Sequence, residues 1–590
     1  MNRIPFPAAG WCLLILMFVV MGGVSAEELT GRPLIEPAPT GVRFEEASLT
    51  MEDERLLIQL DEDATICVRA RPLPGEQCSR FMQRLLVRYD SCARIKPYRI
   101  EAEGGLHFKL PFTLLKPSLQ RRILINLFPQ DELGPNSWQH ICTYVFEDGG
   151  GETLYRIAQW FTGDGANEAM LATFNGLGTD QLAKAQAIRI PQHMLLPHLR
   201  HGWVEENEQV GELTYHRDTL GPYARYRLKK GEAIYSAVIL RFTDLLQYND
   251  VMEAAEQVAR RSGIKDVTDI PVGFDIKIPL ELISVRNLPL SSPLRLEYER
   301  DLRESKMYRK ERTARNLDNV VVLLDTGHGG IDPGAVGCCG ISEHEYAYDI
   351  ACRIKQVIET GTKGSVRMLV EDPECGCSPR DAADLPRNCR ELLMTTPPYD
   401  LGDATIGVNL RWALANRIFT DIRGQGVPEE QVVFISLHAD SLHPTVRGAM
   451  FYYPGAAYRK ESSVSPASSL KGFAECRDAR YRYTRSSKLR AERLSLELSR
   501  KVMESLARNK IEIHEQQPIR GYISRSGRRF APAVLKYCAV PTAVLIETVN
   551  LRNREDCSLM QQHQFRQNFA RAVVDGLINY FESNDGRSSP

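Results

Sequence analysis

The stretch Val320–Gly337, VVVLLDTGHGGIDPGAVG, decides how the chain reads. Its opening run, Val320–Leu324, is wholly apolar and predicts a fully buried strand bounded by turn residues. The run delivers Asp325 and then drops into Thr326-Gly327-His328-Gly329-Gly330, a turn from which little but one imidazole projects. Open α/β sheets place their ligands at the carboxyl ends of buried strands, and the flanking glycines keep the backbone low around the ring. A Gly-rich turn with an incidental histidine fits this stretch about equally well. A phosphate-cradling loop fits poorly, because neither glycine signature of such loops is present.

Outward from this stretch, apolar strands at Val366–Val370, Val432–Leu437, Ala449–Tyr453 and Ala543–Ile546 alternate with helices near Glu343–Glu359, Leu410–Ile422, Ser487–Lys510 and Gln564–Phe581. Such alternation predicts an α/β domain over 320–583, with a mostly parallel sheet flanked by helices on both faces. In the helix GISEHEYAYDIACRIKQVIE, Glu343 falls on the face of Ala347, Ile350, Ala351, Ile354 and Ile358, whereas Glu345 falls with Asp349, Cys352 and Gln356 on the polar side. Glu343 is therefore the carboxylate aimed at the sheet, although a glutamate in a first helical turn can simply favour the dipole. VVFISLHADS ends a buried strand in His438-Ala439-Asp440, and AVLIETVNLRN leads a buried strand straight into Glu547. A carboxylate in that position needs a reason, because an unpaired buried charge is expensive.

His328, His438 and Glu343, each at a strand end or helix start on one rim, form a candidate zinc site with an open fourth position. Glu547 is then the candidate base that deprotonates the attacking water and returns the proton to the leaving amine. Asp325 and Asp440 either orient ligands or cap turns, and His443 and His514 read as ordinary surface or loop histidines. Arg411 and Asn416 read as structural.

LLDTGHGGIDPGAVG, the helix-initial Glu343, RWALAN (411–416), FISLHADS with RGA (447–449) and VLIETVNLRN, in this order, resemble the zinc-dependent N-acetylmuramoyl-L-alanine amidases. The resemblance covers the last 260 residues or so. It implies zinc bound by His328, Glu343 and His438, catalysis by Glu547, and hydrolysis of the amide between the muramic acid lactyl group and L-alanine in peptidoglycan. Thr326 stands where the family usually has proline, and Val549-Asn550 where it usually has Gly-Phe. Two insertions, Glu371–Gly407 and Gly455–Ser487, interrupt the domain. In relatives an insertion at the second place covers the zinc until a protein activator binds, so 455–487 is a candidate lid, with solvated filler the alternative. The rivals to this reading are a non-catalytic peptidoglycan-binding protein and a zinc peptidase cutting the stem peptide.

Ahead of this domain a pattern recurs. Tyr144–Pro191 and Tyr226–Pro279 each read as strand, Gly-Glu turn, two helices and a strand ending Ile-Pro. This βααβ pattern resembles the LysM domain, a carbohydrate-binding module, and implies LysM-like modules at 142–195 and 225–283; degenerate copies that only hold neighbouring domains together are the alternative. Residues 44–141 read as a β-rich or α+β domain, and 284–319 as a charged linker or exposed helix. Arg3, the apolar Trp11–Met21 and Val24-Ser25-Ala26 read as a signal peptide over 1–26, followed by a Pro-rich linker over 27–43. Export to the periplasm or cell envelope follows, with no transmembrane segment after cleavage.

A chain of 590 residues is too long for a single core. Its net charge of −1 gives no support for a nucleic-acid partner. Of the 14 cysteines, Cys12 lies in the leader; Cys67, Cys78, Cys92 and Cys142 could form bridges, and a loop disulfide from Cys375 or Cys377 to Cys389 is expected.

Overall fold

The computed structural model describes residues 42–43, 48–51, 54–60, 66–86, 99–102, 105–145, 151–178, 182–183, 185–463, 469–477, 480–526 and 528–583. The expected signal peptide and nearly all of the Pro-rich linker lie outside them. Among the described residues no helix is long and apolar enough to cross a membrane. The chain divides into two compact units, one spanning 35–238 with 254–302, the other built chiefly of 303–590 with Ile239–Glu253.

The C-terminal unit contains β1 (Val321–Thr326), α1 (Glu343–Gly361), β2 (Ser365–Met368), α2 (Ala404–Gly424), β3 (Val432–Asp440), β4 (Met450–Tyr452), α3 (Arg485–Arg508), β5 (Ile519–Arg520), β6 (Thr542–Asn550), α4 (Arg554–Gln561) and α5 (His563–Glu582). The sheet runs β2-β1-β3-β6-β4-β5. Its first four strands are parallel, β4 is antiparallel to β6, and β5 is parallel to β4. The sheet is therefore mixed beyond β6, because β4 returns directly after β3 without a crossover helix. Leu324, Ile435 and Val544 lie side by side in register, each fully buried, which is why these strands read as unbroken apolar runs. Helices α1, α5 and α3 pack as one layer, while α2 packs against the short helix Ala533–Lys536 and the turn Ala474–Cys476.

Of the polar side expected for α1, Glu345, Asp349 and Cys352 are instead buried, and only Gln356 is exposed. Cys352 is bonded to Cys377, and Glu345 accepts from the Asn388 amide at 2.7 Å and from Arg380 at 3.1 Å. Asp349 takes Arg353 at 2.8 Å, Arg566 at 2.6 Å and the Arg380 amide at 2.6 Å. The insertion 371–407 covers this face, so its charges are satisfied by chain that helical periodicity does not see. Cys377 pairs with α1 rather than with Cys389, and Cys375 and Cys389 are free thiols.

In the N-terminal unit, Ser48–Met51, Glu54–Leu60, Ile66–Ala70, Gly105–Pro111 and Arg99–Ala102 form an antiparallel sheet in that spatial order. With helices Cys78–Leu85 and Pro117–Leu127, this part is α+β. The first repeat pairs Ser137–Ile141, not the expected strand from Tyr144, with Ala187–Pro191, enclosing helices Leu154–Thr162 and Glu168–Asn175. The register is set by Trp138 and His140, which alternate inward and are buried. In the second repeat Gly221–Arg227 pairs with Asp275–Pro279, and a further strand, Leu213–Asp218, flanks it; of the helical segment between the paired strands, Ile239–Glu253 belongs to the other unit. Both Gly-Glu turns do the same work: Glu152 accepts from the Thr143 and Tyr144 amides, and Glu232 from the Lys229 amide and the Tyr226 hydroxyl. The charged stretch after the repeats carries a helix, Pro293–Ser305.

Candidate active site

The rim at the carboxyl ends of β1, β3 and β6 brings together the residues singled out from the sequence. His438 and Glu547 are register partners on adjoining strands. His328 follows β1 by two residues, and Glu343 is the first residue of α1. One donor atom from each of His328, Glu343 and His438 lies within 4.8 Å of the others. Glu343 Oε1 is 2.9 Å from His438 Nδ1, and its Oε2 is 3.4 Å from His328 Nε2. The two rings stand nearly perpendicular, with centroids 5.4 Å apart.

The glycines of the opening stretch make room for this cluster. A Cβ on Gly327 would come within 2.0 Å of the His438 ring, and one on Gly334 within 2.7 Å of Glu343 Oε2. His328 adopts φ 64°, a left-handed conformation uncommon for a side-chain-bearing residue and held here by its surroundings. Arg411 from α2 donates to the Asp325 carboxylate and to the carbonyls of Thr326 and His328. Asp332 accepts from His328 Nδ1 at 2.8 Å, which leaves Nε2 as the ring nitrogen facing Glu343. Glu343 itself receives the Ala335 and Ala439 amides at 2.9 and 3.1 Å. Beneath the turn, His344 Nδ1 is 2.8 Å from the Gly327 carbonyl.

The electrostatics are those of crowded carboxyl groups. Burial opposes a charged His328 ring, but the Glu343 carboxylate and the Asp332 hydrogen bond outweigh it and hold the imidazole above its ordinary range. Burial also opposes ionisation of Glu343, yet the two imidazoles bring its carboxyl down to about 2. Asp440 is pushed up to about 8 by burial and by the Glu343 charge. Glu547 is pushed well above the carboxylate range by burial, then by Asp440 and Glu343. Asp440 Oδ2 and Glu547 Oε2 are buried and lack hydrogen-bond partners. Three carboxyl groups on one buried rim call for positive charge, and the donor set of two imidazoles and a carboxylate fits zinc.

Other residues differ from expectation. Arg411 does more than join helix to loop, since it grips the turn that carries His328. Asn416 is structural, bonding the Tyr537 carbonyl and the Ala539 amide. Asp325 accepts from Arg411 and from the Ser436 hydroxyl, so it bears on the His328 turn only through Arg411. His443 and His514 lie in loops, as one of the two expectations had it, but both are buried, and His443 stacks on Tyr248. Asn550, one of the departures from the family pattern, is buried and ties down the loop after β3 through Leu442, His443 and Val446. The insertion 455–487 anchors on α2 and on the segment entering β6: Tyr481 donates to the Asn416 carbonyl, and Arg459 reaches the carbonyls of Cys538 and Val540.

Residues 322–579 match the family model for N-acetylmuramoyl-L-alanine amidases. The chain is 25% identical over 292 residues to the N-acetylmuramoyl-L-alanine amidase AmiA of Salmonella typhimurium, covering 49% of this chain and 86% of that one. It is 25% identical over 327 residues to AmiC of Neisseria meningitidis, covering 53% and 64%. Among solved structures, an N-acetylmuramyl-L-alanine amidase of Mycobacterium smegmatis aligns over 46% of this chain and 100% of its own, with 20% identity and a TM-score of 0.28.

Proposed function

We infer that the C-terminal domain is an N-acetylmuramoyl-L-alanine amidase acting on peptidoglycan. We propose that His328, Glu343 and His438 hold one zinc ion. The observation that carries this is the convergence of their donor atoms beside Glu547. The chemistry such an ion supplies when bound is that of a Lewis acid on the scissile carbonyl.

The rest of the reaction belongs to the chain. Glu547, with a buried oxygen free of partners, takes a proton from the attacking water and gives it to the alanine nitrogen as the amide bond breaks. Asp332 fixes the His328 tautomer, and Arg411 fixes the turn that presents the ring. The products are a lactyl carboxylate and a free L-alanine amine.

The two βααβ repeats are proposed as LysM-like glycan-binding modules, supported by their shared strand pairing and Gly-Glu turn. Both would hold the polymer that the C-terminal domain cuts. Export through 1–26 and work in the periplasm or cell envelope complete the reading. A protein activator acting on 455–487 would have a route inward, because Tyr481 packs on Trp412 and Ala413 of α2, next to Arg411. The test is metal analysis of the purified chain beside His328→Ala and His438→Ala. One equivalent of zinc at this site is expected in the parent and its loss together with amide hydrolysis in each variant; a zinc content equal to the parent's in both variants would refute the ligand assignment.

A further inference from the structure

A second convergence of ligand atoms lies outside the catalytic rim. Gly337-Cys338-Cys339-Gly340 is a tight turn closed by the Gly340 amide on the Gly337 carbonyl at 2.9 Å, with the two cysteines at its corners. Both are exposed free thiols. The third sulfur comes from Cys557 in α4, which is fully buried. The three Sγ atoms lie within 4.8 Å of one another, with Cys338 and Cys339 4.0 Å apart. The turn is pressed onto the buried sulfur: the Cys339 amide donates to Cys557 Sγ at 3.3 Å, and the Cys338 amide to the Leu551 carbonyl at 2.9 Å. A Cβ on Gly337 would stand 2.9 Å from that same sulfur, so glycine is what permits the approach.

We propose that Cys338, Cys339 and Cys557 form a binding site for a thiophilic d10 metal cation, separate from the catalytic one. Three sulfurs bonded to one ion at about 2.3 Å stand about 3.8–4.0 Å apart; Cys338 and Cys339 are already 4.0 Å apart, and Cys557 Sγ lies within 4.8 Å of both. The chain forms a bonded pair elsewhere, at Cys352–Cys377, whereas these three sulfurs converge without a bond between any two of them. Soft thiolates select such cations over hard ones. Binding a divalent ion converts the three thiols to thiolates and releases three protons to solvent, with the metal–sulfur bonds replacing the S–H bonds. The site's position gives the ion a purpose. It would fasten the loop between His328 and Glu343 to the helix that follows Glu547.

The test is anaerobic titration of the full chain, with Cys352–Cys377 bonded and the other thiols reduced, with Cd²⁺ alone, read by the thiolate-to-cadmium charge-transfer band in the ultraviolet. The catalytic donor set contains no thiol and is silent in this band, so the result does not depend on the amidase reading. One equivalent of Cd²⁺ is expected to raise the band in the parent and in the doubly substituted control Cys375→Ser with Cys389→Ser, and the band should be lost in Cys339→Ser and Cys557→Ser. Should Cys557→Ser fail to fold, the exposed Cys338→Ser and Cys339→Ser variants decide. A parent without the band, a band that survives in Cys339→Ser, or a Cys339–Cys557 disulfide found in the purified chain would overturn the proposal.

Discussion

His438 and Glu547 sit side by side in register on adjoining parallel strands. Because side chains alternate along a strand, register partners project to the same face of the sheet, so a proposed ligand and the proposed base are held at one level by backbone pairing alone. Glu547→Gln keeps the shape of the side chain and removes its capacity to take a proton. Zinc content should be unchanged, while amide hydrolysis should fall by about 10²–10⁴-fold. Normal turnover in this variant would remove Glu547 from the chemistry.

Arg411 acts on the site through the turn that carries His328. Replacing it with Met leaves the Asp325 carboxylate buried beside Ser436 and frees the carbonyls of Thr326 and His328. Groups that orient a ligand from behind typically cost about 10–100-fold in metal affinity when lost. Competition with a chelator should show a drop of that order in Arg411→Met, and an affinity equal to the parent's would reduce Arg411 to a helix anchor.

Asp349 is the hub of a buried charge cluster, accepting from Arg353 and Arg566 while itself fully covered. Removing one partner of a buried pair strands the other charge, at a cost of about 3–5 kcal/mol. Chemical denaturation of the C-terminal domain should show Asp349→Asn destabilised on that scale. A loss within about 0.5 kcal/mol, typical of surface changes, would contradict it.

The N-terminal unit should carry a pH signature. His140 lies between Asp131 at 2.9 Å and Glu152 at 2.5 Å. Burial opposes its charge, but the two carboxylates outweigh this and hold it well above the ordinary 6.5. A histidine raised on folding contributes stability that is whole below 6.5 and lost as pH rises through the folded value. Asp131, raised by burial, works in the same direction. Calorimetry should show this unit weakening as pH is raised above about 6.5, with the slope flattened in His140→Gln; an unchanged slope would exclude His140 as its source.

Much of this was legible in the sequence because it is local. Val320–Leu324, Val432–Leu437 and Ala543–Ile546 read as strands since both their faces are covered, and Glu343 was placed by helical periodicity against Ala347 and Ile350. What could not be read is long-range. The burial of Glu345 and Asp349 depends on the insertion 371–407 folding back on α1, and Cys352–Cys377 belongs to the same event. The antiparallel return of β4 depends on its pairing with β6, a strand nearly a hundred positions later. The first repeat begins at Ser137 rather than 144 because Trp138 and His140 alternate inward, a short signal hidden in a polar stretch.

The central claim is that His328, Glu343, His438 and Glu547 together cleave the lactyl–alanine amide. Mass spectrometry of peptidoglycan digested by the zinc-loaded chain, with Glu547→Gln as control, tests it most directly. Intact stem peptides bearing a free L-alanine amine, and glycan bearing free lactyl carboxylate, are predicted from the parent alone. New termini inside the stem peptide, or equal products from the variant, would contradict the account.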